Sequence, residues 1–242
     1  MKGLTMLKKI ISTAVMASSA TFTMQAQADV SATVTLVSDY VYNGVSSTDG
    51  EPTLQGSVDW YNDAGFYAGA WASGLDEDSY AGAEIEIDYY AGYAGSISDS
   101  LGYDVGYAFY TYPGADDADG EYNYGELYGA LTFNENTTAK LLYSDNYFGD
   151  VGSSLILYVS HTLSLPNEFS LTLEASHTKL LEDGGDMYFG PDAGDDSYNH
   201  WGASLAKSVA GFDLALSVTD TNIEDWGDIA DARAVFSVSR SF

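Results

Sequence analysis

Residues 83–93 alternate without a break: Ala83, Ile85, Ile87, Tyr89, Ala91 and Tyr93 share one parity, and Glu84, Glu86, Asp88, Tyr90 and Gly92 share the other. A two-residue period places successive side chains on opposite faces of a β-strand. Three consecutive carboxylates on one face cannot occupy a dry core, because burying unpaired charge costs far more than a fold recovers elsewhere. That face meets water and the other meets something apolar. The same alternation recurs in about twelve segments, near residues 30–41, 52–62, 65–75, 82–95, 101–112, 122–133, 137–147, 153–165, 169–180, 198–208, 211–221 and 230–242.

The connections between these segments form two alternating classes. Short turns fall at residues 62–65, 96–100, 134–136, 166–168 and 209–211, whereas longer, acidic connections fall at 42–51, 76–81, 113–121, 148–152, 181–197 and 221–229. An even number of strands with short turns at one end and longer loops at the other is the layout of an outer-membrane barrel. The sequence therefore predicts an all-β fold, a closed antiparallel transmembrane β-barrel of about twelve strands in one domain.

The apolar parity tests this expectation, because such barrels carry aromatic girdles where the membrane meets water. Trp60, Phe66, Tyr93, Tyr103, Phe133, Phe169, Phe212 and Phe242 share the apolar face of their own segments and fall at the short-turn end, as a membrane-interface belt. A looser set, Tyr40, Phe109, Tyr143 and Trp201, falls toward the other rim. Aliphatic or small residues such as Ala68, Val105, Leu127, Leu173 and Leu216 lie between. In the last segment, Ala232, Ala234, Phe236, Val238 and Phe242 alternate with Arg233, Val235, Ser237, Ser239 and Ser241, an ending that resembles the signature by which the barrel-assembly machinery recognises its clients. Arg240 interrupts this outward row at a depth where an arginine can snorkel to the interface at a cost of about 0–1 kcal/mol.

The chain begins with Lys2, Lys8 and Lys9, an apolar run from Ile10 to Phe22, and Ala26-Gln27-Ala28. A basic head, a short apolar segment and a small-residue cleavage site make a signal peptide over residues 1–28, with the barrel over 29–242. Beyond residue 28 the basic residues are Lys140, Lys179, Lys207, Arg233 and Arg240, against 36 acidic ones. Nucleic-acid binding needs cations to displace phosphate counterions, so this balance excludes it. With 20 Tyr, 10 Phe and 4 Trp the acidic chain is nevertheless rich in ordering residues.

Residues 36–56, LVSDYVYNGVSSTDGEPTLQG, followed by Gly65-Phe66-Tyr67-Ala68-Gly69-Ala70-Trp71, resemble the opening of the TorF-type porin family of proteobacteria. The resemblance is strongest over residues 30–95 and continues in layout to Phe242. It implies a barrel with a pore, and brings no established substrate or site residue. Members of the family often carry Arg where this chain has Asn43 and Gln where it has Ser47.

Inward parity selects Asp39, Asp59, Glu84, Glu86, Asp88, Asp104, Glu126, Glu174 and Asp213 as pore-lining, against Lys140 and Arg233. A passage lined by one sign of charge favours the opposite sign, so the expectation is a porin-like channel for small hydrophilic solutes with a cation preference. The alternative is a non-conducting structural or surface-interaction barrel. Inward Tyr61, Tyr67, Trp71, Tyr90, Tyr110, Tyr128 and Tyr158 are bulky enough to fill a narrow lumen. Outward His161 and His177 raise the idea of a lipid hydrolase, but Leu163 and Lys179 stand where a serine two residues on would be needed, and no catalytic residue is assigned. Dispersed histidines and the absence of cysteine leave no cofactor or transition-metal site. Asp117, Asp119, Gly120 and Glu126 have partial calcium-loop spacing, and the acidic loop at 182–196 suits solvation or a divalent bridge to lipopolysaccharide. The expected partners are outer-membrane lipid, lipopolysaccharide, the assembly machinery and the solutes themselves.

Overall fold

The structure, a computed structural model, describes residues 29–116, 122–181, 196–224 and 226–242. The first strands are β1 (Asp29–Val37), β2 (Val41–Tyr42), β3 (Val45–Ser46), β4 (Thr53–Tyr61), β5 (Phe66–Gly74), β6 (Ile85–Ser98) and β7 (Leu101–Thr111). They are followed by β8 (Tyr124–Phe133), β9 (Thr137–Ser144), β10 (Ser154–Ser164), β11 (Ser170–Leu180), β12 (Ser197–Val209), β13 (Phe212–Thr221) and β14 (Arg233–Ser241). Among the described residues, β1 and β4 to β14 pair antiparallel with their chain neighbours, and β1 pairs with both β14 and β4 to close the barrel. Closure leaves no strand edge, so the backbone groups of the wall are satisfied internally, as a membrane requires.

The short turns form for local reasons. Asn134 and Glu135 take positive φ between β8 and β9, and Ala210 and Gly211 do the same between β12 and β13, the backbone of tight hairpins that follow strand twist. In the turn after β4, the Asn62 side chain accepts hydrogen bonds from the backbone N–H groups of Ala64 and Phe66. β6 runs farther than its sequence pattern suggests, to Ser98, with a register irregularity between Ser96 and Ser98 that lets it turn directly into β7.

The barrel is apolar outside. Val30, Val34, Leu36, Leu54, Val58, Leu127, Leu141, Leu157, Leu173, Leu205, Leu216 and Phe236 are all exposed on outward parity. A water-soluble protein does not present an apolar surface of that extent, and a lipid-facing one does. Of the eight aromatic residues expected at the short-turn rim, Trp60, Phe66, Phe133, Phe169, Phe212 and Phe242 are exposed at the short-turn ends of their strands, and Tyr93 and Tyr103 are half-buried. Phe66 and Tyr93 are paired in register with ring centroids 4.8 Å apart, and Tyr93 lies 6.0 Å from Tyr103. Two cations join this rim: Lys207 sits over Phe169 at 4.9 Å, and Arg240 lies 5.2 Å from both Phe212 and Phe242. Arg240 thus replaces an outward apolar residue without standing alone in lipid. At the other rim Phe109, Tyr143 and Trp201 are exposed as expected, but Tyr40 is turned inside and buried.

The main departure from expectation is the segment after β1. The predicted strand at 30–41 ends at Val37, and the connection at 42–51 does not extend outward from the barrel. It folds back into the lumen.

Candidate functional site in the barrel lumen

Ser38 anchors the inward turn, accepting and donating hydrogen bonds with the backbone of Phe236 on β14 at 2.9 Å each. β2 and β3 then pair with each other, Val41 opposite Ser46 and Tyr42 opposite Val45. Asn43 and Gly44 form the tip, both at positive φ, the Asn-Gly signature of a two-residue hairpin turn. Glycine is required here for space as well: a Cβ on Gly44 would lie 2.4 Å from Thr221 Cγ2 and 2.8 Å from the His200 ring.

The hairpin crosses the lumen. On one side Tyr40 packs edge-on against Trp71 of β5 at 5.3 Å, and on the other Ser176 of β11 donates to Asn43 at 3.4 Å. Burial, followed by the nearby charges of Glu86 and Asp88, pushes the Tyr40 hydroxyl well above the usual phenol range, so it remains a protonated donor facing Glu86. Asp39 joins the hairpin to the wall. Its Oδ1 accepts from Ser46 Oγ at 2.6 Å and Thr48 Oγ1 at 3.0 Å, and its Oδ2 accepts from Arg233 Nη1 at 2.6 Å. Tyr80, from the loop after β5, donates to Ser47 at 2.7 Å. Above this loop an aromatic cluster closes part of the long-loop end: Phe148 packs edge-on against Tyr80, Tyr112 and Tyr122.

Below the hairpin, tyrosines lie flat along the wall. Tyr90 of β6 crosses Gly69 of β5 and donates to Asp59 of β4. Tyr67 of β5 and Tyr128 of β8 reach toward each other over Gly92 and Gly106, which are paired in register between them, and their hydroxyls meet at 2.5 Å. Tyr67 also donates to Asp104 at 2.6 Å. A Cβ on Gly69, Gly92 or Gly106 would fall within 2.6 Å of these rings or hydroxyls, so the glycines are the recesses that hold the tyrosines.

The lumen consequently has two regions. Glu86, Asp88 and Glu126 are buried beside the hairpin and Asp104 below it among the tyrosines, with Tyr112 donating to Glu86 and Tyr110 to Glu126. Both oxygens of Asp88, with Asp104 Oδ2 and Glu126 Oε1, meet no protein hydrogen-bond donor. Toward the short-turn end, Asp59, Glu174 and Asp213 are half-buried among Thr33, Ser57, Thr172, Ser204, Ser217 and Ser237, all on inward parity. Glu174 accepts from Tyr158 at 2.7 Å, and Asp213 accepts from Ser208. Lys140 lies over the Tyr128 ring at 4.3 Å and faces Asp104 and Glu126.

Most residues assigned to the lumen by parity are inside the barrel, but Glu86, Asp88, Asp104 and Glu126, expected on a face that meets water, are buried instead, because the inward hairpin and the tyrosines cover them. Glu84 is exposed. β6 begins at Ile85, and the preceding turn, with Ala81 and Gly82 at positive φ, buries Ala83 and leaves Glu84 at the exposed end of the strand. The alternation of the sequence continues across this point while the backbone does not. His161 is partnered by Thr137 at 2.8 Å and sits opposite Leu173, while His177 sits opposite Leu157 and pairs with Asn199. No group of three or more histidine or acidic residues among the described residues is arranged to hold a metal ion. Asp117, Asp119 and Gly120, and residues 182–195 of the acidic loop, lie outside the described residues.

Twelve strands, an apolar exterior, aromatic rims and a polar interior define a closed transmembrane β-barrel. The chain belongs to the bacterial family of unknown function designated Gcw_chp, which it matches over residues 22–242. Among solved structures it is similar to the NanC porin, with a TM-score of 0.55 and 9% identity over 87% of this chain and 98% of that one. It is also similar to the KdgM porin in complex with disordered oligogalacturonate, with a TM-score of 0.53 and 10% identity over 88% of this chain and 98% of that one. At such identities the likeness is one of fold. No curated protein matches the sequence.

Proposed function

We propose that the protein is an outer-membrane channel for small hydrophilic solutes that prefers cations, and that its family resemblance is to the TorF-type porins. The observation that carries the reading is the sign of the water-reached lumen: Asp59, Glu174 and Asp213 line it, while Arg233 is paired with Asp39 and Lys140 faces two carboxylates. Carboxylates in a confined aqueous passage concentrate cations and repel anions. An acidic oligomer such as the one seen with the KdgM porin would be disfavoured here.

Residues 1–28 act as a cleaved leader in this reading, and Phe242 and the aromatic rim meet the assembly machinery and the lipid interface. The acidic loops face lipopolysaccharide. N-terminal sequencing of the protein from outer-membrane fractions is expected to start at Asp29; a start at Met1 would remove the export argument.

Planar-bilayer recordings test the channel itself. Wild-type protein is expected to give discrete conductance steps, and the triple variant Asp59→Asn, Glu174→Gln, Asp213→Asn should lower the cation-to-anion permeability ratio about tenfold in dilute salt. Absence of steps in the wild type would sink the channel. Steps with an unchanged reversal potential in the variant would sink the carboxylate lining. A non-conducting surface barrel is the second reading, and the hairpin lying across the lumen is the observation that favours it.

A further inference from the structure

The β2–β3 hairpin is packed differently from the wall that surrounds it. From Val41 to Ser46 its backbone pairs with itself, and its backbone ties to the barrel lie beyond the paired residues, at Ser38 with Phe236 and at Ser47 with Asp76. Within the lumen it is held by side chains: Tyr40 on Trp71, Asn43 on Ser176, Ser47 on Tyr80, and Asp39, which Ser46 and Thr48 orient, on Arg233. At its far end Asp49 and Gly50 take positive φ and are exposed, and nothing lies within 4 Å of the space a Gly50 side chain would occupy. A small self-paired unit with a permissive backbone at one end and a single charged bridge can leave its seat without unpairing any barrel strand. Behind it stand Glu86, Asp88 and Glu126, which have much to gain from hydration.

We propose that the β2–β3 hairpin is the gate of this barrel, swinging about Ser38 and Gly50, with Asp39 to Arg233 as the latch that holds it shut. The proposal rests on the channel reading for its consequence, and on the hairpin alone for its motion. The seated hairpin blocks the passage, and release of the latch lets water and solute through.

The chain has no cysteine, so introduced thiols report on single positions. Ser47→Cys places a thiol at a buried hairpin position, and a membrane-impermeant maleimide added to the folded protein in outer-membrane vesicles measures how often the hairpin leaves. Adding Asp39→Asn is expected to raise the labelling rate about tenfold, the value of one charge-assisted bond. Arg233→Gln cuts the same bridge from the wall side and should act in the same direction should Asp39→Asn fail to fold. In bilayers, Asn43→Cys with Ser176→Cys is expected to be silent when oxidised and to conduct when reduced.

Labelling that ignores both latch variants overturns the gate, as does an oxidised pair that conducts like the reduced one. Labelling that follows the latch in protein that never conducts keeps the hairpin motion and removes the channel.

Discussion

Replacing Gly69 with valine is expected to destabilise the barrel by about 3 kcal/mol, near the upper end of overpacking costs. The three atoms nearest to a Cβ at this site all belong to Tyr90, at 2.5 to 2.6 Å. The ring cannot retreat toward the wall, and moving inward breaks its hydrogen bond to Asp59. Valine is otherwise the better strand residue, so a loss of stability isolates the clash from backbone preference. Two controls sharpen the result. Gly129→Ala, on the outer face with its nearest neighbour at 3.9 Å, should change stability by less than about 0.5 kcal/mol. In a Tyr90→Ala background the same Gly69→Val change should cost less than half as much as in the wild type. Urea unfolding in detergent or lipid, read by heat-modifiable gel migration, measures all three. A Gly69→Val barrel as stable as wild type would mean that the tyrosine does not lie in that recess.

The wall was largely legible in the sequence. Twelve alternating segments, their turns and the eight-residue aromatic rim follow from a period of two and from the contrast between lipid and water, which act along each strand locally. Parity also put Asp59, Glu86, Asp88, Asp104, Glu126, Glu174 and Asp213 inside the barrel, but not which of them meet water: Glu86, Asp88, Asp104 and Glu126, expected to line the passage, are buried. What parity cannot carry is the path of the chain once it leaves the wall. Tyr40 has the parity and aromatic character of a rim residue, yet it packs inside on Trp71 because the strand stops at Val37. The hairpin had a local signal in Asn43-Gly44, flanked by Val41, Tyr42 and Val45. Its burial depended on partners on β5, β11, β12, β13 and β14, far away in sequence. The tyrosine–glycine rows were hidden for the same reason. Tyr67 and Tyr128 are 61 residues apart, and the glycines between them acquire meaning only when four strands are placed side by side.

The second large effect is expected at Lys140. Its ammonium lies over Tyr128 and faces Asp104 and Glu126, carboxylates that are 1% and 0% exposed. Lys140→Met preserves most of the side-chain volume and removes the charge, leaving buried carboxylates with tyrosine hydroxyls as their main support. Deleting one member of a buried charged set costs about 3–5 kcal/mol, so Lys140→Met should lower the unfolding free energy by about 3 kcal/mol. Adding Asp104→Asn should return about half of it, since the amide keeps a hydrogen-bond acceptor for Tyr67 and carries no charge. A double-mutant cycle by urea titration gives the coupling directly. Strictly additive single effects would show that Lys140 acts by packing on Tyr128 rather than by neutralising Asp104.

The two sides of the barrel are built unlike each other. Strands β5 to β8 carry the tyrosines and the buried acids, whereas inward positions of β12 to β14 and β1 are mostly serine, threonine and alanine. A solute passing the displaced hairpin would therefore travel an eccentric route, skirting the small-residue arc rather than following the barrel axis. In the proposed channel labour would be divided around the circumference, one arc setting rigidity and the opposite arc setting bore. Enlarging side chains at Ser204, Ser217 or Ser237 would narrow the route while leaving the tyrosine arc that braces the wall untouched, so conductance and robustness can drift independently in the same twelve strands.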